Sequence, residues 1–137
     1  MADIAVTAAQ VGRIFPEKDE VHTVILEESV TAGQVLYQTT TGTYGLADAD
    51  VNARQQARGI ALAGGGAGQT VPLLKRGFVE GFAVSGLNAD ARLYLSDTAG
   101  ALNDVASSTL SVTCGRVFVV NGKKVVYADF DWLRQWA

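Results

Sequence analysis

The chain has 137 residues, enough for one domain with a substantial core. Hydrophobic residues make up 48% of it and charged residues 18%, which excludes a disordered or heavily solvated chain. The net charge of −3 offers a phosphate backbone no electrostatic footprint, and no apolar run approaches the roughly 20 residues that span a bilayer. Neither nucleic acid nor a membrane is therefore expected as a partner.

Residues 1–20 carry few strand signals, include Phe15-Pro16, and read as an extended N-terminal arm. Met1-Ala2-Asp3-Ile4 shows no basic region followed by an apolar stretch, so cytoplasmic synthesis without signal-directed export is expected. Ile4, Val6, Val11, Ile14 and Phe15 are too apolar for an idle tail, and Pro16 favours an extended conformation at Phe15. Such a segment either anchors the chain to a partner, where apolar side chains offset the entropy of ordering, or packs as a first strand on the chain's own body.

Residues 21–128 read as a β-rich domain. Fifteen glycines and only two prolines punctuate short apolar or alternating runs, the pattern of an all-β fold, a compact β-barrel or β-sandwich. The predicted strands are Val21–Glu27, Val35–Thr39, Arg58–Leu62, Thr70–Leu74, Gly77–Val84, Arg92–Ser96, Leu110–Cys114, Gly115–Val120 and Lys123–Ala128. Asn121-Gly122, flanked by apolar strands, predicts a type I′ hairpin because both residue types accept positive φ. Residues 47–57 lack strand character and read either as a short helix capped by Asp48 or as a loop.

An internal echo runs through this domain. Ala32-Gly33-Gln34-Val35-Leu36-Tyr37 is matched by Ala89-Asp90-Ala91-Arg92-Leu93-Tyr94, with Tyr94 following Tyr37 by 57 residues. Gly59-Ile60-Ala61-Leu62 is matched by Gly115-Arg116-Val117-Phe118, and Gly68-Gln69-Thr70-Val71 by Gly122-Lys123-Lys124-Val125, at spacings of 56 and 54. The shrinking offset fits small deletions in loops, so two related β units, about 29–75 and 87–128, are expected to share one core. Residues 129–137 form a short aromatic tail carrying both tryptophans. Phe130, Trp132, Leu133 and Trp136 are candidates for docking, on the body or on a neighbouring copy.

Signs of catalysis are missing. Gly64-Gly65-Gly66-Ala67-Gly68 lacks the Gly-Lys-Ser/Thr and following helix of a phosphate loop. His22, the only histidine, sits in a strand pattern without an evident triad, and Cys114 alternates with Leu110 and Val112 as a buried, inert thiol. Asp48 with Asp50, and Asp97 with Asp104, read as turn formers; calcium is the minor alternative, and the first pair lacks the spacing of a calcium-binding loop. No enzyme, cofactor or metal is expected.

Three segments resemble small tailed-phage capsid decoration (cement) proteins. Thr31-Ala32-Gly33-Gln34-Val35-Leu36-Tyr37 is similar to their opening motif. Gly59-Ile60-Ala61-Leu62, Ala67-Gly68-Gln69-Thr70-Val71 and Arg76-Gly77-Phe78-Val79-Glu80-Gly81 are similar, in order, to the next segment. Leu93-Tyr94-Leu95-Ser96-Asp97-Thr98-Ala99-Gly100 resembles a signature of such head proteins. The resemblance covers about residues 29–128 and implies a non-enzymatic β domain on the outer surface of a virion. It also implies the major capsid protein as partner and a homo-oligomer, with a trimer favoured. Neither the arm nor the tail matches a motif, so which end grips the shell stays open. The rival expectations are a tail or head-completion component, or a small glycan-binding module using Tyr37, Tyr44 and Tyr94.

Overall fold

The computed structural model describes residues 2–136; Met1 of the arm and Ala137 of the tail lie outside the described residues. The chain is all-β, an antiparallel sheet curled into a half-barrel. Its strands are β1 (Gly12–Arg13), β2 (Glu20–Ile25), β3 (Val35–Gln38), β4 (Tyr44–Leu46), β5 (Ala57–Ala61), β6 (Thr70–Glu80), β7 (Arg92–Leu95), β8 (Leu102–Asn103), β9 (Thr113–Val120) and β10 (Lys123–Asp129). They follow the order β4-β3-β5-β6-β10-β9-β7-β8, with β1 and β2 on the other edge of β6. The only helical segments among the described residues are single 3-10 turns, one of them Asn52–Arg54 within the stretch read as a short helix or a loop.

Two expected strands, Thr70–Leu74 and Gly77–Val84, are one eleven-residue strand that ends at Glu80. Arg76-Gly77 reads as a break, but the backbone continues through Gly77 at φ +150°. Conversely, Leu110–Val112 is not strand, although Val112 is fully buried. Alternation there reports burial without pairing. The Asn121-Gly122 hairpin closes as expected: φ is 51° at Asn121 and 78° at Gly122, and Val120 faces Lys123 across the turn.

The two ends of the sheet order carry the same register. In one, Leu36 faces Gly59 and the register shifts before Tyr37; in the other, Leu93 faces Gly115 and the register shifts before Tyr94. Backbone bonds repeat it: Ala61 N–H donates to Gln34 C=O and Gly33 N–H to Ala61 C=O, while Val117 N–H donates to Ala91 C=O and Asp90 N–H to Val117 C=O. Gly33 and Asp90 both take positive φ. A Cβ at Gly59 would strike Leu73 and the Leu74 carbonyl, and one at Gly115 would strike the Tyr127 carbonyl.

Burial separates these ends. The larger core cluster lies on one face and includes Val35, Ile60, Leu74, Val79, Leu93, Val117 and Val126. A smaller cluster, including Leu26, Val30, Leu36, Ala61, Val71 and Leu73, covers the opposite face of β3, β5 and the first half of β6. Strands β9 and β10 have no such cover.

Candidate interaction surfaces

The uncovered face is built by register. Arg92 pairs with Arg116, which pairs with Tyr127, which pairs with Phe78. Val117, Val126 and Val79 point into the core, so their strand neighbours Phe118, Tyr127 and Phe78 project outward. Phe15, from the arm, joins them. The Phe15 and Phe78 rings meet edge to face at 5.5 Å, Phe78 lies 4.9 Å from Tyr127 and 5.7 Å from Phe118, and Phe118 lies 5.2 Å from Tyr127. These spacings suit edge-to-face and tilted aromatic packing. Phe118 is 38% exposed and its neighbour Val119 51%. An apolar depression of about 230 Å³ lies beside them, lined by Ala89, Asp90, Val117, Phe118 and Val119. The rim is charged: Arg116 reaches Asp90 at 3.4 Å, and Lys123 reaches Glu80 at 3.1 Å.

Sequence reasoning singled out Phe15 alone from this cluster. The missed signal is Val117-Phe118-Val119-Val120, an apolar run with no polar face in a strand covered on one side only.

The arm is laid along the body. Ile4 N–H donates to Leu102 C=O at 2.8 Å, Thr7 N–H to Gly81 C=O at 2.9 Å, and Ile14 N–H to Phe78 C=O at 3.1 Å. The Asp3 carboxylate accepts bonds from the Ser96 hydroxyl and the Asn103 amide. Burial raises the Asp3 pKa, but bonds from Ser96, Thr98 and Asn103 outweigh it and hold the group below its ordinary value. Glycines seat the arm closely: a Cβ at Gly33 would overlap Val6, at Gly81 the Val11 backbone, and at Gly77 the Asp19 carboxylate. Ile4 is in the main core at 7% exposure, the arrangement expected of a segment packed on the chain's own body, and a partner can touch it only after the arm lifts. Val11 is half-buried against the same core, Ile14 and Phe15 are half-buried, and Val6 is 36% exposed.

The tail docks on the chain's own body. Phe130 is in the core, its N–H bonded to Lys75 C=O at 3.0 Å. The Trp132 indole N–H donates to Arg58 C=O at 2.6 Å, and its ring lies 4.5 Å from His22. His22 Nε2 in turn lies 2.8 Å from Glu20. Trp136 is buried: its N–H donates to Gln56 Oε1 at 2.8 Å, Gln56 Nε2 donates back to its carbonyl, and Arg134 lies 4.2 Å over the ring. Of the four docking candidates only Leu133, 99% exposed, faces outward in full.

The remaining polar candidates hold loops together. Asp48 accepts the Asp50 N–H, Asp50 the Thr109 hydroxyl, Asp97 the Ser107 hydroxyl, and Asp104 the Ala2 N–H. Among the described residues, no three His, Cys, Asp or Glu side chains are grouped to hold a metal ion. Cys114 is buried, and burial pushes its thiol pKa up, away from nucleophilic thiolate. Tyr37 and Tyr44 are buried at 8% exposure, so with the half-buried Tyr94 they form no exposed glycan-binding face. Comparison of the chain with family models, curated proteins and solved structures returned no match.

Proposed function

We propose that this protein is a tailed-phage capsid decoration protein that binds the outer surface of an assembled shell through the aromatic face of β6, β10 and β9 and the adjoining arm. The observation that carries the reading is the bare face itself. Phe15, Phe78, Phe118 and Tyr127 form a partly exposed apolar cluster inside a charged rim, on the curled antiparallel sheet. A clamp of this kind works by binding only the closed lattice, which lowers the free energy of that state. Repetition over many sites converts modest contacts into strong retention. The ordered motifs of residues 31–37, 59–81 and 93–100 support the same reading. The shared register around Gly59 and Gly115 supports two related β units. A trimer of 14.4-kDa chains, about 43 kDa, is the favoured assembly.

The test is sedimentation with empty, expanded shells assembled from a tailed-phage major capsid protein. The full chain is expected to pellet with the shells. Phe118→Glu is expected to keep its melting temperature, because the side chain is outside the core, and to remain in the supernatant. Deletion of residues 2–16 measures the arm's share: binding lost there but kept in Phe118→Glu moves the anchor to the arm. A full chain that never pellets with shells overturns the reading. Antibody label confined to the tail of the virion would assign it to a tail component instead.

A further inference from the structure

The arm turns into β2 at Asp19, and this carboxylate is unusual. Its side chain is 0% exposed, and neither oxygen has a hydrogen-bond partner of good geometry. It rests on Gly77, where the absence of a Cβ makes the only room for it. The nearest cation is Arg13, whose Nε is 3.7 Å away and whose side chain is 35% exposed. An ionised carboxylate in such a place is costly, because one partly solvated guanidinium does not replace the water that was lost.

We propose that Asp19 is a proton-operated latch on the N-terminal arm: protonated, it lets residues 12–19 lie closed on β6; ionised, it loosens them. The surrounding groups fit that role. Burial pushes the Asp19 carboxyl above its ordinary value; Arg13 and the Phe78 N–H pull it down, and Glu17, on the same turn, pushes it up again. From β6, Lys75 and Arg76 reach instead to Glu20, at 3.5 and 3.3 Å, and His22 of β2 lies against Glu20 as well. Those cations are therefore committed to the neighbouring carboxylate. A carboxyl whose folded pKa is raised favours the closed state below the ordinary carboxylate range. That advantage is lost as pH rises toward the raised value. Asp3, at the far end of the arm, has the opposite sign, so the two ends respond to pH in opposite directions. The latch concerns the arm alone and holds whether or not the chain decorates a shell.

Amide hydrogen exchange of the full chain, corrected for intrinsic rates, tests it over a series from about pH 4 to about pH 8. Protection of residues 12–19 is expected to fall with rising pH, by about tenfold for each unit by which burial raises the carboxyl. Amides of β9 and β10, the internal reference, are expected to hold steady. Asp19→Asn is expected to give high, flat protection in the arm, and Glu17→Gln a shallower fall than the unaltered chain. Reduced protection in Asp19→Asn near neutral pH would mean that the ion pair with Arg13 holds the arm shut, and would overturn the proposal. A pH response that persists in Asp19→Asn would belong to another group and would overturn it equally.

Discussion

Two rungs of the sheet share a register and have opposite fates. In the first, Val35, Ile60 and Leu74 lie side by side across β3, β5 and β6, all fully buried. In the second, Arg92, Arg116 and Tyr127 lie side by side across β7, β9 and β10, none of them buried. The backbone pairing is alike, so it does not decide which face is dry. The cover decides it: the first rung is enclosed by the main core while the smaller cluster seals the other face of those strands, and the second has core on one side only. A strand buried on both faces is apolar throughout, whereas one covered on a single face is free to carry a surface. The aromatic cluster occupies that freedom.

Exchanging residues between the rungs should break the comparison most sharply. Ile60→Arg places a charge without a partner in the main core and is expected to cost about 4–5 kcal/mol or more, enough to leave little folded protein in urea titrations. The Asn121-Gly122 turn sits beside the exposed strands and is expected to matter less. Gly122→Val puts a β-branched residue at positive φ, for about 1–3 kcal/mol and a melting point lowered by several degrees. The smallest effect is expected from Arg116→Ile. It removes a surface ion pair with Asp90, worth about 0.2–1 kcal/mol, and should leave the urea midpoint nearly unchanged. Equal losses in Ile60→Arg and Arg116→Ile would mean that both rungs are core, and the exposed face would cease to be a candidate surface.

What the sequence made legible was local. Alternation located β2, β3, β5, β7, β9 and β10 to within a few residues, split β6 in two and missed the two- and three-residue strands β1, β4 and β8; Asn121-Gly122 announced its turn because the φ requirement resides in those two residues. What it hid was which distant segment covers which face. Gly77 looks like punctuation until Asp19, 58 positions earlier, is found resting on it. Ile4 reads as an anchor for a partner or as part of the body until its contacts with the core appear. Trp132 and Trp136 announce docking by their chemistry, but Arg58 C=O and Gln56, which receive them, carry no signal of their own in the sequence. The aromatic surface was obscured for the same reason. Phe78, Phe118 and Tyr127 lie on three strands, and only the register of β10 with its two neighbours brings them together.

Strand β6 has a consequence for how the chain comes off the ribosome. Residues 76–79 take their partners from residues 126–129, about fifty positions later, which at ordinary synthesis rates is a wait of about 3–10 s. During that interval the first half of β6 can pair with β2 and β5, while its second half presents an unpaired edge bearing Phe78 and Val79. Nascent chains on one polysome meet one another through just such edges. The arm, already synthesised, pairs β1 with Val79 and Glu80 on the opposite edge, so this half of β6 waits with one edge held and only the edge that receives β10 open.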